Sequence, residues 1–157
     1  MSEATYNQPL AQAAAEAMST LGFMFPVGEP EPGLRVDAAD AVVATVAFSG
    51  PVDGALDLRV SAAVLPALAA NMSGTDEPPP PEQQKDALGE MLNIICGNVL
   101  PHLTDPRAVY DVAAPRCCDA PPDHRGRRVV GHTGIPMDAG LVELTLYVAE
   151  AAALARD

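Results

Sequence analysis

The chain has 157 residues, 48% of them apolar and 19% charged, with a net charge of −12. This length allows one well-buried core and is short for two. The charge speaks against nucleic acid, whose phosphates are bound by clustered Lys and Arg, and no stretch approaches the roughly twenty apolar residues of a membrane span. The N-terminus has no basic region leading into an apolar run, and the cysteines are odd in number, Cys96, Cys117 and Cys118. Reduced thiols in a cytoplasmic protein are therefore expected rather than a disulfide framework. A single domain over 1–157 is expected, with 1–8 and 151–157 as peripheral tails.

Taken in chain order, Pro9 suits the start of a helix because its missing N–H would have no partner there, and Leu10 to Leu21 is rich in helix formers. Pro26 to Gly33 repeats Pro, Gly and Glu and reads as a loop. Val42 to Phe48 is a β-branched and apolar run that ends in a Ser49-Gly50-Pro51 turn. Leu56, Leu58 and Val60 then alternate with Asp57 and Arg59, so a hairpin with a half-buried second strand is predicted. Ser61 is placed to cap a helix carrying Val64, Leu65, Leu68 and Met72 and ending near Gly74. Pro78 to Pro81 reads as a stiff connector.

The third helix is predicted from about Glu82 to Leu100, ended or kinked by Pro101. Strands follow at Val109 to Val112, Arg127 to His132 and Leu141 to Val148. Helix, two strands, two helices and three strands, with short turns between adjacent strands, give an α+β fold: an antiparallel sheet packed against about three helices. Between Arg107 and Arg128 the basic residues thicken, with Arg116 and Arg125 among them, and this reads as a solvated loop face.

The third helix carries the most chemistry. At 100° per residue, Asp86, Glu90, Asn93 and Gly97 fall within about 40° of one direction. Leu88, Leu92, Ile95 and Val99 project to the other side. One face is thus core, and the other offers a carboxylate, a carboxamide and bare backbone. Gly89 and Gly97 each cost about 1 kcal/mol against alanine in a helix, a cost that close packing or close docking would explain.

Asp86-x-x-x-Glu90-x-x-Asn93, followed by Pro115 after twenty-one intervening residues, resembles the signature of the CheC/CheX/FliY chemotaxis phosphatases. Phe48-Ser49-Gly50-Pro51, Leu65-Pro66, Asn71-Met72-Ser73-Gly74 and Gly97-Asn98 add to the resemblance, which extends from about Ala11 to Val148. Two-site members of that family carry the motif on a second helix as well. Here the corresponding place reads Gln12-x-x-x-Glu16-x-x-Ser19 and looks degenerate, so the chain is most similar to single-site CheX.

The resemblance implies a CheX-like domain that hydrolyses the aspartyl phosphate of a CheY-type response-regulator receiver in two-component signalling. Asn93 would orient the attacking water, and Glu90 would dock against the receiver's lysine. Asp86 would be a capping or a contact residue, Gly97 a contact residue, and Pro115 would shape a turn. The resemblance also implies a homodimer, no cofactor of the chain's own, and Mg²⁺ supplied by the receiver. The alternative is a receiver- or adaptor-binding module of the same fold without catalysis. A zinc site built from Cys117, Cys118, His124 and His132 has the right ligand types, but adjacent cysteines lack the usual C-x-x-C spacing.

Overall fold

The computed structural model describes residues 5–118, 120–152 and 154. Helix α1 (Asn7–Thr20) buries Leu10, Ala14, Ala17 and Met18 along one side. The hairpin follows as β1 (Ala41–Ser49) and β2 (Gly54–Ser61), paired so that Val46 faces Leu56. Helix α2 (Val64–Ser73) ends at Gly74, whose φ of 70° is the left-handed conformation that glycine adopts without a Cβ penalty. Helix α3 (Pro81–Val99) has proline in its first turn and passes into a 3₁₀ turn, Leu100–His102, which holds Pro101.

The remaining strands are β3 (Asp111–Val112), β4 (Arg116–Cys118), β5 (Arg127–Met137) and β6 (Gly140–Ala149). The six described strands form an open antiparallel sheet in the order β3-β1-β2-β6-β5, with β4 also pairing β1. Helices α1, α2 and α3 cover one face. Leu56, Leu58, Val60, Leu144 and Leu146 of the sheet join Leu10, Met18, Leu68, Leu88, Leu92 and Ile95 of the helices in one buried cluster. Burying a side chain of that size contributes roughly 2 kcal/mol, so the cluster dominates the stability of the helix–sheet contact.

Several expectations need correcting. Residues 5–8 are not a peripheral tail: Tyr6 is 0% exposed and its N–H donates to the Val130 carbonyl, while Asn7 Oδ1 accepts from the His132 N–H. Leu154 belongs to the core as well, and the rest of both expected tails at 1–4, 153 and 155–157 lies outside the described residues. Ser61 does not cap α2. Its hydroxyl donates to the Leu141 carbonyl and accepts from the Leu141 N–H, which ties the end of β2 to β6. Strand β4 was not expected, because three residues are too few to show alternation.

The second hairpin strand is also more than half-buried. Asp57 points away from the helices yet is 6% exposed, because loop segments cross the outer face of the sheet. One segment is held where the Gly33 N–H donates to His132 Nδ1 (3.0 Å), the Val36 N–H donates to Glu143 Oε1 (2.9 Å), and His132 Nε2 meets Glu143 Oε2 (2.8 Å). The other is held by His124, whose Nε2 lies 2.8 Å from Asp57 Oδ2 and whose ring stacks on Tyr147 at 3.7 Å. Thr45 Oγ1 donates to the second Asp57 oxygen at 2.6 Å. An amide N–H and a guanidinium only donate, and Arg127 Nη1 sits 3.1 Å from His124 Nδ1. Nδ1 is therefore the acceptor in both rings, and the Nε2 proton goes to the carboxylate.

Candidate functional site

The site stripe of α3 stands on the helix face turned from the core. Asp86, Glu90, Asn93 and Gly97 are all exposed, whereas Leu88, Leu92 and Ile95 are fully buried. Burial of the apolar side fixes the rotation of the helix, and that rotation presents Glu90 and Asn93 together, one turn apart. Among the described residues neither side chain makes a hydrogen bond or an ion pair, so the carboxylate and the carboxamide keep their full capacity for a partner. A Cβ at Gly97 would meet nothing within 4 Å. The glycine therefore leaves open surface next to Asn93 rather than making room for a neighbouring helix.

The other helix glycine does have a packing reason. A Cβ at Gly89 would lie 3.2 Å from Cγ of Pro115, so the proline ring rides on α3 at that point. Pro115 precedes β4, which pairs with β1 along Val43 to Thr45 and brings Arg116 and Cys117 beside the helix. Lys85, Asp86, Gly89, Pro115, Arg116 and Cys117 line a groove of about 330 Å³ there. The structure thus brings four of the five site residues into one stripe and sets Pro115 against its edge.

On the opposite side of the stripe lies α1, packed along α3. Glu16 is exposed, but the Ser19 hydroxyl donates to the Glu16 carbonyl at 3.0 Å. That hydroxyl is turned onto its own helix, and Gln12 and Glu16 instead line a hollow of about 260 Å³ with Asn98 and His102. No carboxamide stands at the place on α1 that Asn93 occupies on α3.

The remaining sequence candidates are dispersed. Cys96 is buried against the sheet side of α3, and burial pushes its thiol up to about 12, which makes it an inert apolar group at neutral pH. His124 and His132 serve Asp57 and Glu143, while Cys117 and Cys118 lie on β4. Among the described residues no three His, Cys, Asp or Glu side chains gather as a metal site. The basic run divides too. Arg107 and Arg125 pair with Asp105 and Asp123 at the surface, and Arg125 holds the Asp123 carboxyl below its ordinary value by hydrogen bonding. Arg127 and Arg128 bind His124 and the Ala152 carbonyl, which leaves Arg116 beside the site. Sequence reasoning missed the carboxylate–imidazole pairs and the Lys85–Arg116 edge: Asp57–His124 and Lys85–Arg116 join residues far apart in the chain, and His132–Glu143 is a diagonal contact set by the register of the β5–β6 hairpin.

Comparison with known proteins bears on this geometry. The family model for the chemotaxis phosphatase CheX matches residues 42–121, a span that includes all of α3 and Pro115. No curated protein sequence matches the chain. Among solved structures, the chain is similar to the chemotaxis protein CheX of Desulfovibrio desulfuricans, with a TM-score of 0.70 and 20% identity over 90% of this chain and 97% of that one. It is similar to the structure of the CheX–CheY–BeF3–Mg²⁺ complex from Borrelia burgdorferi, with a TM-score of 0.64 and 20% identity over 91% of this chain and 97% of that one. FliY of Thermotoga maritima is more distant, with a TM-score of 0.58 and 15% identity over 94% of this chain and 87% of that one. At these identities the structural likeness speaks to the fold, an open antiparallel sheet with three helices. No described helix is long and apolar enough to cross a membrane.

Proposed function

This chain belongs to the CheX family of chemotaxis phosphatases, and we propose that it hydrolyses the aspartyl phosphate of a CheY-type receiver, with Asn93 positioning the water and Glu90 aligning the partner. The observation that carries this reading is the pair itself: a carboxylate and a carboxamide one helical turn apart, both exposed, both without a partner among the described residues, and next to the open surface at Gly97.

An aspartyl phosphate is an acyl phosphate. Water attacks phosphorus in line with the carboxylate leaving oxygen, a P–O bond forms and the P–O bond to aspartate breaks. The aspartate leaves as its carboxylate, and the water proton goes to solvent or to the released phosphate. Little covalent chemistry is asked of the enzyme, so positioning and charge carry the rate. The Asn93 side chain has a carbonyl that accepts from the water and an amide that donates to it or to a phosphoryl oxygen. Glu90 is suited to pair with a lysine beside the phosphorylation site, which fixes the register of the two proteins. Magnesium would arrive with the receiver and neutralise the phosphoryl oxygens.

The fold of the Borrelia CheX–CheY–BeF3–Mg²⁺ complex supports a CheY-like partner for a domain of this shape. The homodimer is part of the same proposal. Val109 and Val112, exposed around the edge strand β3, are apolar surface that a second copy would cover, and light scattering on the purified protein tests it. The phosphatase reading is tested by adding the protein to isolated receivers phosphorylated with acetyl phosphate. Accelerated phosphate release from a receiver is expected, and tight binding without release would favour a binding module.

A further inference from the structure

The two flanks of the α3 stripe differ in charge. Towards α1 the neighbours are Gln12 and Glu16. Towards β4 they are Lys85 and Arg116, which line the groove beside Asp86 and Gly89.

Nine basic residues stand against twenty-one acidic ones in this chain, and most of the described basic side chains are engaged within the fold. Arg35, Arg107 and Arg125 are bonded to Glu143, Asp105 and Asp123, and Arg127 and Arg128 are taken by His124 and Ala152. Lys85 and Arg116 are exposed, and among the described residues their side chains make no ion pair or hydrogen bond. Among the described residues Arg59 likewise makes no ion pair or hydrogen bond, but it is half-buried and belongs to the pocket on the outer face of the sheet, away from the helices.

We propose that Lys85 and Arg116 form the basic side of the docking surface and receive the acidic rim of the phosphorylated receiver's magnesium site. This rests on the phosphatase reading above. A phosphoryl group carries up to about two negative charges, and magnesium is held beside it by carboxylates. A chain of net charge −12 repels such a face at long range. Among the described residues, two cations without a partner at one edge of the stripe outnumber Asp86, the one carboxylate lining that groove, and they do so on one side only. With Glu90 seeking a lysine and the Lys85–Arg116 edge seeking carboxylates, a single orientation of the partner satisfies both and brings its phosphate over Asn93. Charges at the rim of an interface act mainly on encounter and on salt dependence.

The test uses Lys85→Glu, Arg116→Glu and the double variant, assayed on a panel of isolated receivers phosphorylated with acetyl phosphate, at salt from about 20 to about 300 mM. For the receiver that the wild type turns over fastest, KM is expected to rise about tenfold or more in the double variant at low salt, with kcat changed by less than about twofold. The difference shrinks at high salt, and Lys85→Arg with Arg116→Lys restores KM. An unchanged KM and an unchanged salt dependence overturn the inference and leave the phosphatase reading standing. If the wild type releases phosphate from no receiver, the phosphatase reading fails, and titration of beryllofluoride-activated receivers decides the docking surface. Weaker binding by the double variant supports it; equal binding, or none by the wild type, overturns it.

Discussion

Pro115 lies across helix α3 at Gly89, so close that a Cβ on the glycine would stand 3.2 Å from the proline ring. This contact joins the site helix to the edge of the sheet through β4. Replacing Gly89 by alanine sets a gain of about 1 kcal/mol in helix propensity against a tight contact that the half-buried ring relieves by a small shift, so stability should change little. Gly89→Leu has no such escape and should lift Pro115 and β4 from the helix, lowering stability by roughly 1–3 kcal/mol. Thermal unfolding of both variants checks the pair, and equal midpoints would show that the contact does not hold β4 in place.

Gly97 is the contrasting case, with nothing within 4 Å of its missing Cβ. Gly97→Ala should stabilise the fold by about 1 kcal/mol, raising the unfolding midpoint by about 3 °C. A long side chain there, as in Gly97→Gln, should keep the fold and lower kcat/KM on a phosphorylated receiver by about tenfold or more, since it occupies the approach to Asn93. Wild-type kcat/KM in Gly97→Gln would show that this surface is not used.

On the outer face of the sheet, Asp57 serves both the Thr45 hydroxyl and the His124 ring. Asp57→Ala leaves two buried polar groups without their partner and should cost about 2–3 kcal/mol. Urea unfolding should move to lower midpoint with the slope retained. Because this face is opposite the helices, the folded variant should keep the wild-type response to an Asn93 substitution.

Cys96 gives a pH dependence of known sign. Its thiol is pushed to about 12 by burial, from an ordinary value of 9.0. The raised value means that the folded state holds the proton longer than the unfolded chain does. The stabilisation is complete below pH 9 and is lost as pH rises through about 12. At pH 10 ionisation of the unfolded thiol should cost the wild type about 1 kcal/mol that Cys96→Ala does not lose. Unfolding curves at pH 8 and pH 10 compare the two, and parallel losses would contradict the burial of the thiol.

The polar stripe of α3 was legible in the sequence because a helix places residues three and four apart on one side, while the roles given to its residues come from the family resemblance. Asp86, Glu90, Asn93 and Gly97 needed only that rule, and the apolar residues between them fixed which side met the core. The Pro115 contact was not visible in that way, since it depends on how a distant loop returns to the helix. Asp57 was misleading for a related reason: strict alternation with Leu56 and Leu58 gives its side of the sheet but not what covers that side. The loop segments at Gly33–Val36 and around His124 decide its burial, and they carry no periodicity. Ser61 shows the same limit at short range, since a hydroxyl ahead of a helix can cap it or bond a neighbouring strand. Here Leu141 provides both partners.

The central claim is that Asn93 orients the attacking water while Glu90 aligns the partner. Single-turnover phosphate release at saturating protein, compared for wild type, Asn93→Ala and Glu90→Ala on the same phosphorylated receiver, tests it most directly. Asn93→Ala should lower the saturated rate by about a hundredfold or more while still binding the beryllofluoride-activated receiver, and Glu90→Ala should chiefly weaken binding. A wild-type rate in Asn93→Ala would contradict the account.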